Sequence, residues 1–262
     1  MAPSSEIVWR HPSDVGTLAD QEVHIWRVSV SQAQSSVTHL SRLLDEEESK
    51  RAARFHFERD RVRFIVARGG LRIILGQYLK IDPAVIEFSY SAHGKPALSR
   101  AHSDSVIKFN LAHSHDLALY AFSPKRELGI DVEHMRPEVA GDDIAKRFFA
   151  APEVDALRSL SAERRLEAFF NCWTRKEAYI KARGEGLTFP LSNFVVSMTP
   201  GEPASLLTVQ DSPQEAARWS LQELDAGEGY AASVAVEGHD WRLKLWEGNS
   251  LLQSTDYADY TD

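Results

Sequence analysis

From Ser161 to Arg183 apolar side chains recur at helical spacing, and Leu166, Phe169, Phe170, Trp173 and Ile180 fall on one stripe at about 100° per residue. Such a stripe predicts a long helix laid against a core, and Gly184 after a basic last turn predicts where it stops. Glu177 falls inside the stripe. A carboxylate turned toward the core costs on the order of several kcal/mol unless it is paired or metal-bound, so this helix requires a cation. Lys176 and Lys181 read as the two edges of the same face, aimed past Glu177 at an anion. A buried Glu177–Lys181 pair one turn apart, with Trp173 as packing, would satisfy the same pattern.

The rest of the chain reads as α+β. Val23 to Val30 predicts a strand, and Asp45 to about Leu79 one helical region closed by Asp82-Pro83. Strands follow at Glu87-Phe-Ser-Tyr, Val106 to Leu111, Leu117 to Phe122 and Leu128 to Glu133, with Ser123-Pro-Lys-Arg as a turn joining the last two into a hairpin. After Pro137 the pattern repeats: helices at Ile144 to Phe149, Pro152 to Leu160 and Ser161 to Arg183, then strands near Phe194, Ser205, Trp219, Tyr230 and Trp241. Residues Arg61 to Gly69 also echo Lys176 to Gly184, although two unrelated helices that stop at Ala-Arg-Gly would look the same. The expected division is an N-terminal half over residues 1–123 and a C-terminal half over 124–262, with a polar tail from about residue 250.

Asp131 and Glu133 alternate with Ile130 and Val132, which puts the two acids on one face of a strand and the apolar pair on the other. Gly129 leaves room for a close approach. Alone, an Asp-x-Glu pair at a strand end is usually a solvated edge. Beside Glu177 it becomes two-thirds of an oxygen-ligand site for a hard divalent ion set against a diphosphate. His113, Ser114 and His115 precede the neighbouring strand, where an imidazole can meet a phosphate; the lack of a second ligand pair or a cysteine cluster argues against zinc and for magnesium. Gly94-Lys-Pro96 reads as a turn presenting Lys95 on a rigid backbone, with Pro96 able to cover a purine; as a plain surface turn it would look no different. Arg51, Arg54, Arg59, Arg61, Arg63, Arg68 and Arg72 make the first helical region basic, mostly as a solvated face with one or two residues free to grip a phosphate.

Acidic residues outnumber Lys plus Arg by 38 to 30, which argues against nucleic acid or an anionic membrane as partner. One cysteine, Cys172, excludes an internal disulfide, and no apolar run reaches the ~20 residues of a membrane helix. With no leader visible at Met1-Ala-Pro-Ser-Ser-Glu, the expectation is a cytoplasmic protein.

Over roughly residues 45 to 200 the chain resembles the surfactin-synthetase-activator type of 4′-phosphopantetheinyl transferase. The resemblance rests on a helix containing Leu71-Arg, then Gly94-Lys-Pro, Phe109-Asn-Leu-x-His-Ser, Gly129-Ile-Asp-Val-Glu, Ile144-Ala-Lys-Arg-Phe-Phe, Trp173-x-x-Lys-Glu-Ala-x-x-Lys and Gly184-x-Gly-Leu, in that order. It implies a monomer built as a pseudo-dimer of two similar halves, with coenzyme A and Mg²⁺ in the cleft between them. It puts Asp131, Glu133 and Glu177 on the metal, Lys176 and Lys181 on the catalytic helix, and Arg63, Lys95 and His113 against the nucleotide. Ala112 stands where the family often has Ser, removing a hydroxyl that Ser114 is expected to replace at the coenzyme A phosphates. Ahead of the first long helix, where the family carries lysines, this chain offers Lys50 and Arg51.

The implied reaction is attack by a carrier-protein serine on the β-phosphorus of coenzyme A. Glu177 serves the metal and the serine proton, and Lys181 the diphosphate charge. Apo acyl or peptidyl carriers, of the kinds used in fatty-acid, polyketide or nonribosomal-peptide synthesis, are the implied partners. Phe148, Phe149, Lys146 and Arg147 are candidate contacts for them. A noncatalytic coenzyme A or nucleotide-binding module and a magnesium-dependent phosphodiesterase are the alternative readings.

Overall fold

The computed structural model describes residues 8–12 and 17–253. The first half opens with β1 (Glu22–Ser29) and continues through α1 (Val37–Arg42), α2 (Glu46–Ala53) and α3 (Glu58–Leu79) to a ribbon of β2 (Phe88–Tyr90) and β3 (Pro96–Leu98). A hairpin of β4 (Ile107–Ser114) and β5 (Leu117–Pro124) ends it. The second half repeats the order: β6 (Leu128–His134), α4 (Asp142–Phe148), α5 (Ala151–Ser159), α6 (Ala162–Arg183), a ribbon of β7 (Phe194–Val196) and β8 (Leu206–Val209), then β9 (Trp219–Glu223) and β10 (Tyr230–Glu237). The sheets run β1-β5-β4 and β6-β10-β9, so both halves place the opening strand beside the last one, and each carries one 22-residue helix. The expected pair of similar α+β halves is therefore present as matching topology. The sequence echo is looser, because Gly69 lies inside α3, close against Leu40, whereas Gly184 caps α6 at φ 74°.

The layers run helix, sheet, sheet, helix. Trp26, Val28, Tyr120 and Phe122 face α3, while Val23, Ile25, Leu119 and Ala121 face the other way, into a core shared with Leu128, Ile130, Val132 and Val234 of the second sheet. Alternation along β6 then turns Gly129, Asp131 and Glu133 toward α6. A Cβ on Gly129 would stand 2.2 Å from Ala178 O and 2.3 Å from Ala182 N, so the glycine is what lets α6 lie directly on the strand.

Four expectations change. The helical region 45–79 is two helices broken at Arg54–Phe57. Asp45 and Glu48 form a capping box on α2, and the chain must turn back so that Glu48 can reach Arg68 Nε at 2.6 Å and Arg72 Nε at 2.7 Å, both buried. Leaving any one of these charges unpaired in the interior would cost on the order of 3–5 kcal/mol. Residues 117–133 form no hairpin: β5 pairs with β4 and β1, and β6 with β10. The boundary at 123/124 does not divide the sheets, because β11 (Arg242–Glu247) returns to the first half and pairs parallel with β1. The supposed tail begins as α7 (Asn249–Gln253), whose Leu252 is buried against the first core; residues 254–262 lie outside the described part.

Candidate active site

A cavity of about 770 Å³ opens between the halves, where β4 and β6, the edge strands of their sheets, come side by side. Glu177 and Lys181 of α6 line it, whereas Asp131 and Glu133 of β6 are not part of its wall and connect to it through Lys181. Lys181 Nζ donates to Asp131 Oδ1 at 2.6 Å and to Ile130 O at 3.3 Å. Glu177, one turn earlier on α6, lines the cavity half-buried. Glu133 Oε2 accepts from Ser114 Oγ at 2.8 Å. Asp131 is 4 % exposed, and among the described residues its Oδ2 has no hydrogen-bond donor.

The charges respond to this enclosure. Burial pushes the Asp131 carboxyl up to about 7; Lys181 opposes the rise, and repulsion from Glu133 and Glu177 adds to it. Burial also raises Glu177, again against Lys181 and with Glu133. Lys181 is pulled down by burial, but the combined attraction of Asp131, Glu177 and Glu133 outweighs that and holds it above the ordinary lysine value. The three acids therefore share one electrostatic site with Lys181 as their internal counter-charge. As the side chains stand, no group of three or more His, Cys, Asp or Glu among the described residues converges on a point that could hold an ion. The donor set is nonetheless all oxygen, and the orphan Asp131 Oδ2 is the kind of atom a hard cation takes.

The same cavity also carries basic and aromatic groups. Arg51, Arg68, Tyr90 and His93 line it, with Lys95 and Pro96 from the ribbon β2–β3. Arg68 is held by Glu48 and by Tyr90 Oη at 2.8 Å. Lys95 Nζ bridges the halves by donating to Leu128 O at 3.1 Å and Ala182 O at 3.3 Å; burial lowers its pKa, with Glu127 in opposition. His113 lines the cavity floor, open to solvent. The protein packed around the ring lowers its pKa first, and the field of Lys181, Arg63 and Arg51 lowers it further, favouring a neutral imidazole near pH 7.

Several predicted site residues stand elsewhere. Lys176 is fully buried on another side of α6, paired with Glu153 Oε2 at 2.7 Å and donating to Leu191 O at 2.8 Å and Phe194 O at 2.5 Å. Five residues of helix turn it about 140° from Lys181, so the two lysines cannot share a face. Ser114 is absent from the cavity wall, its hydroxyl engaged with Glu133 and the His134 N–H. Arg63 does not line the cavity either and pairs with Asp60 at 3.1 Å. Phe149 is a core residue, which leaves half-buried Phe148 and exposed Lys146 and Arg147 on that surface. Asn110 was missed: its Oδ1 accepts from Ile130 N–H at 2.9 Å and ties β4 to β6. Arg68 and Arg72 had a readable signal, since arginines one turn apart inside the apolar run Phe64 to Leu75 demand a buried acid.

Comparison with known proteins gives a consistent grouping. A family profile described as "4'-phosphopantetheinyl transferase superfamily" matches residues 127–235, and one described as "4'-phosphopantetheinyl transferase, N-terminal" matches residues 26–125. The chain is 43 % identical to 4'-phosphopantetheinyl transferase HetI of Nostoc sp., over 88 % of this chain and 94 % of that protein. It is 30 % identical to a 4'-phosphopantetheinyl transferase of Bacillus subtilis, over 74 % of this chain and 83 % of the relative. To 4'-phosphopantetheinyl transferase Sfp of Bacillus subtilis (strain 168) it is 27 % identical, over 76 % of this chain and 84 % of Sfp.

Proposed function

The chain belongs to the 4′-phosphopantetheinyl transferase family, and from that premise we propose how its cavity moves the 4′-phosphopantetheine group of coenzyme A to a serine of an apo acyl or peptidyl carrier protein. The observation that carries this reading is that Asp131, Glu133, Glu177 and Lys181 form one electrostatic cluster, of which Glu177 and Lys181 line a cavity also lined by Arg51, Arg68, Tyr90, His93 and Lys95. Nucleotide and diphosphate would lie along its length. Pro96 and His93 are assigned to the purine end, Arg51, Arg68 and Lys95 to phosphate charge, and neutral His113 to a hydrogen bond with a phosphate oxygen.

Asp131, Glu133 and Glu177 would hold Mg²⁺, which when bound supplies positive charge against the diphosphate. Lys181 offers its donors to the same oxygens while keeping Asp131 oriented. The serine oxygen bonds to the β-phosphorus as the bond to the bridging oxygen breaks, and adenosine 3′,5′-bisphosphate leaves with that oxygen. The serine proton goes to the Glu177 carboxylate oxygen that is not given to the ion. Most of the rate comes from alignment and charge neutralisation rather than covalent work by the protein.

The test mixes the protein with coenzyme A, Mg²⁺ and an apo carrier and reads phosphopantetheine on the carrier by intact mass. Glu177→Gln is expected to lower transfer by about 100-fold or more with an unchanged thermal melt. Near-native turnover in that variant would remove Glu177 from the mechanism. Hydrolysis of coenzyme A without carrier labelling would replace the serine with water as acceptor.

A further inference from the structure

The hydroxyl of Ser114, at the end of β4, is used in both directions. The backbone N–H of His134 donates to Ser114 Oγ at 3.1 Å, and Ser114 Oγ lies 2.8 Å from Glu133 Oε2. An amide N–H can only donate, so the serine proton is committed to the carboxylate. Four residues back along β4, Asn110 Oδ1 accepts the Ile130 N–H. These two contacts bracket Asp131 and Glu133, one at each end of the acidic stretch, and both come from the opposite half. β4 and β6 do not pair as strands. Side chains of β4 take the N–H groups that a neighbouring strand's carbonyls would otherwise accept.

We propose that Ser114 is the positioning residue for Glu133: its hydroxyl holds Oε2, ties the carboxylate to the His134 amide, and leaves Oε1 as the oxygen presented to a divalent ion beside Asp131. This rests on the metal reading of the three acids given above. A glutamate carries three side-chain torsions, and ordering them before the ion arrives removes an entropic cost from binding. A hydrogen bond to an ionised acceptor is strong enough to do so. The same commitment explains why Ser114 does not line the cavity while its neighbours Ala112 and His113 do. It works through Glu133 and does not touch substrate.

The test compares Ser114→Thr, which keeps the hydroxyl, with Ser114→Val, which has the same shape and a strong strand preference but no hydroxyl. Mn²⁺ is titrated into each protein with coenzyme A present and free ion is read by electron paramagnetic resonance, alongside metal-free thermal melts. The threonine variant is expected to bind like wild type. The valine variant is expected to melt with the threonine variant and bind Mn²⁺ about tenfold more weakly, the usual scale for loss of an outer hydrogen bond to a metal ligand. Equal Mn²⁺ affinity in the two variants overturns the proposal, whether or not the valine variant melts lower, because the role would then be only structural. If wild type itself takes up no Mn²⁺, the metal reading falls and the proposal with it. That outcome is distinct from one in which wild type binds and the hydroxyl makes no difference.

Discussion

Replacing Gly129 with Ala inserts one methyl group between β6 and α6. The added Cβ would stand 2.2 Å from Ala178 O and 2.3 Å from Ala182 N, both backbone atoms that cannot rotate away. Carbon and oxygen normally approach to about 3.3 Å, so the helix must lift by roughly 1 Å. Such a lift stretches the 2.6 Å contact from Lys181 to Asp131 beyond hydrogen-bond range and carries Glu177 off with it. Overpacking of this size typically costs about 1–3 kcal/mol, and a 1 Å misplacement of reacting groups about 100-fold in rate. Urea unfolding should therefore show a lower midpoint with an unchanged slope. Carrier modification, followed by intact mass at matched folded fraction, should fall by about two orders of magnitude. Wild-type stability together with wild-type transfer would refute the argument that Gly129 sets the spacing of the site.

Three further outcomes are expected. Lys176→Met strands the buried Glu153 carboxylate and should cost roughly 3–5 kcal/mol in urea melts while leaving turnover per folded molecule near wild type; lost turnover at full folding would return Lys176 to the site. Burial pushes Glu22 up, but hydrogen bonds from Lys244 and His24 outweigh it and hold its pKa at about 2, below the model-compound value of 4.5. Its stabilising contribution is complete above 4.5 and lost as pH falls toward 2, so Glu22→Gln should melt below wild type at pH 6, and the gap should close on acidification; a gap that widens in acid contradicts the assignment. A chain ended at residue 240 keeps every proposed site residue but lacks β11, and it should not reach a cooperative fold; a soluble, cooperative and active product would show that β11 is dispensable.

Local pattern read well where one element decided the outcome. The alternation Ile130-Asp131-Val132-Glu133 and the places of most strands, though not β3 or the end of β4, were legible because period-two and period-3.6 spacing follow from local geometry. The face of α6 was only partly legible. A single stripe assumes one buried side, whereas α6 packs on the sheet and also against α5 and β7, so Arg175 and Lys176 are buried as well. Nor did the sequence show how the acids and His113 become neighbours. They meet across the seam held by Asn110 and Ser114, and β4 and β6 belong to different sheets, a long-range arrangement that leaves no local trace.

The parallel pairing of β11 with β1 also bears on how the molecule is made. The ribosome delivers β1 early and β11 only after residues 30–241 have been synthesised, which at 5–20 residues per second takes on the order of 10–40 s. Throughout that interval the outer edge of β1 has no partner within the chain, with Val23, Ile25 and Trp26 beside it still waiting for much of their final cover. Only a strand more than 200 residues later in the chain closes the first sheet, so productive synthesis is a race between translation speed and edge-to-edge capture by neighbouring nascent chains.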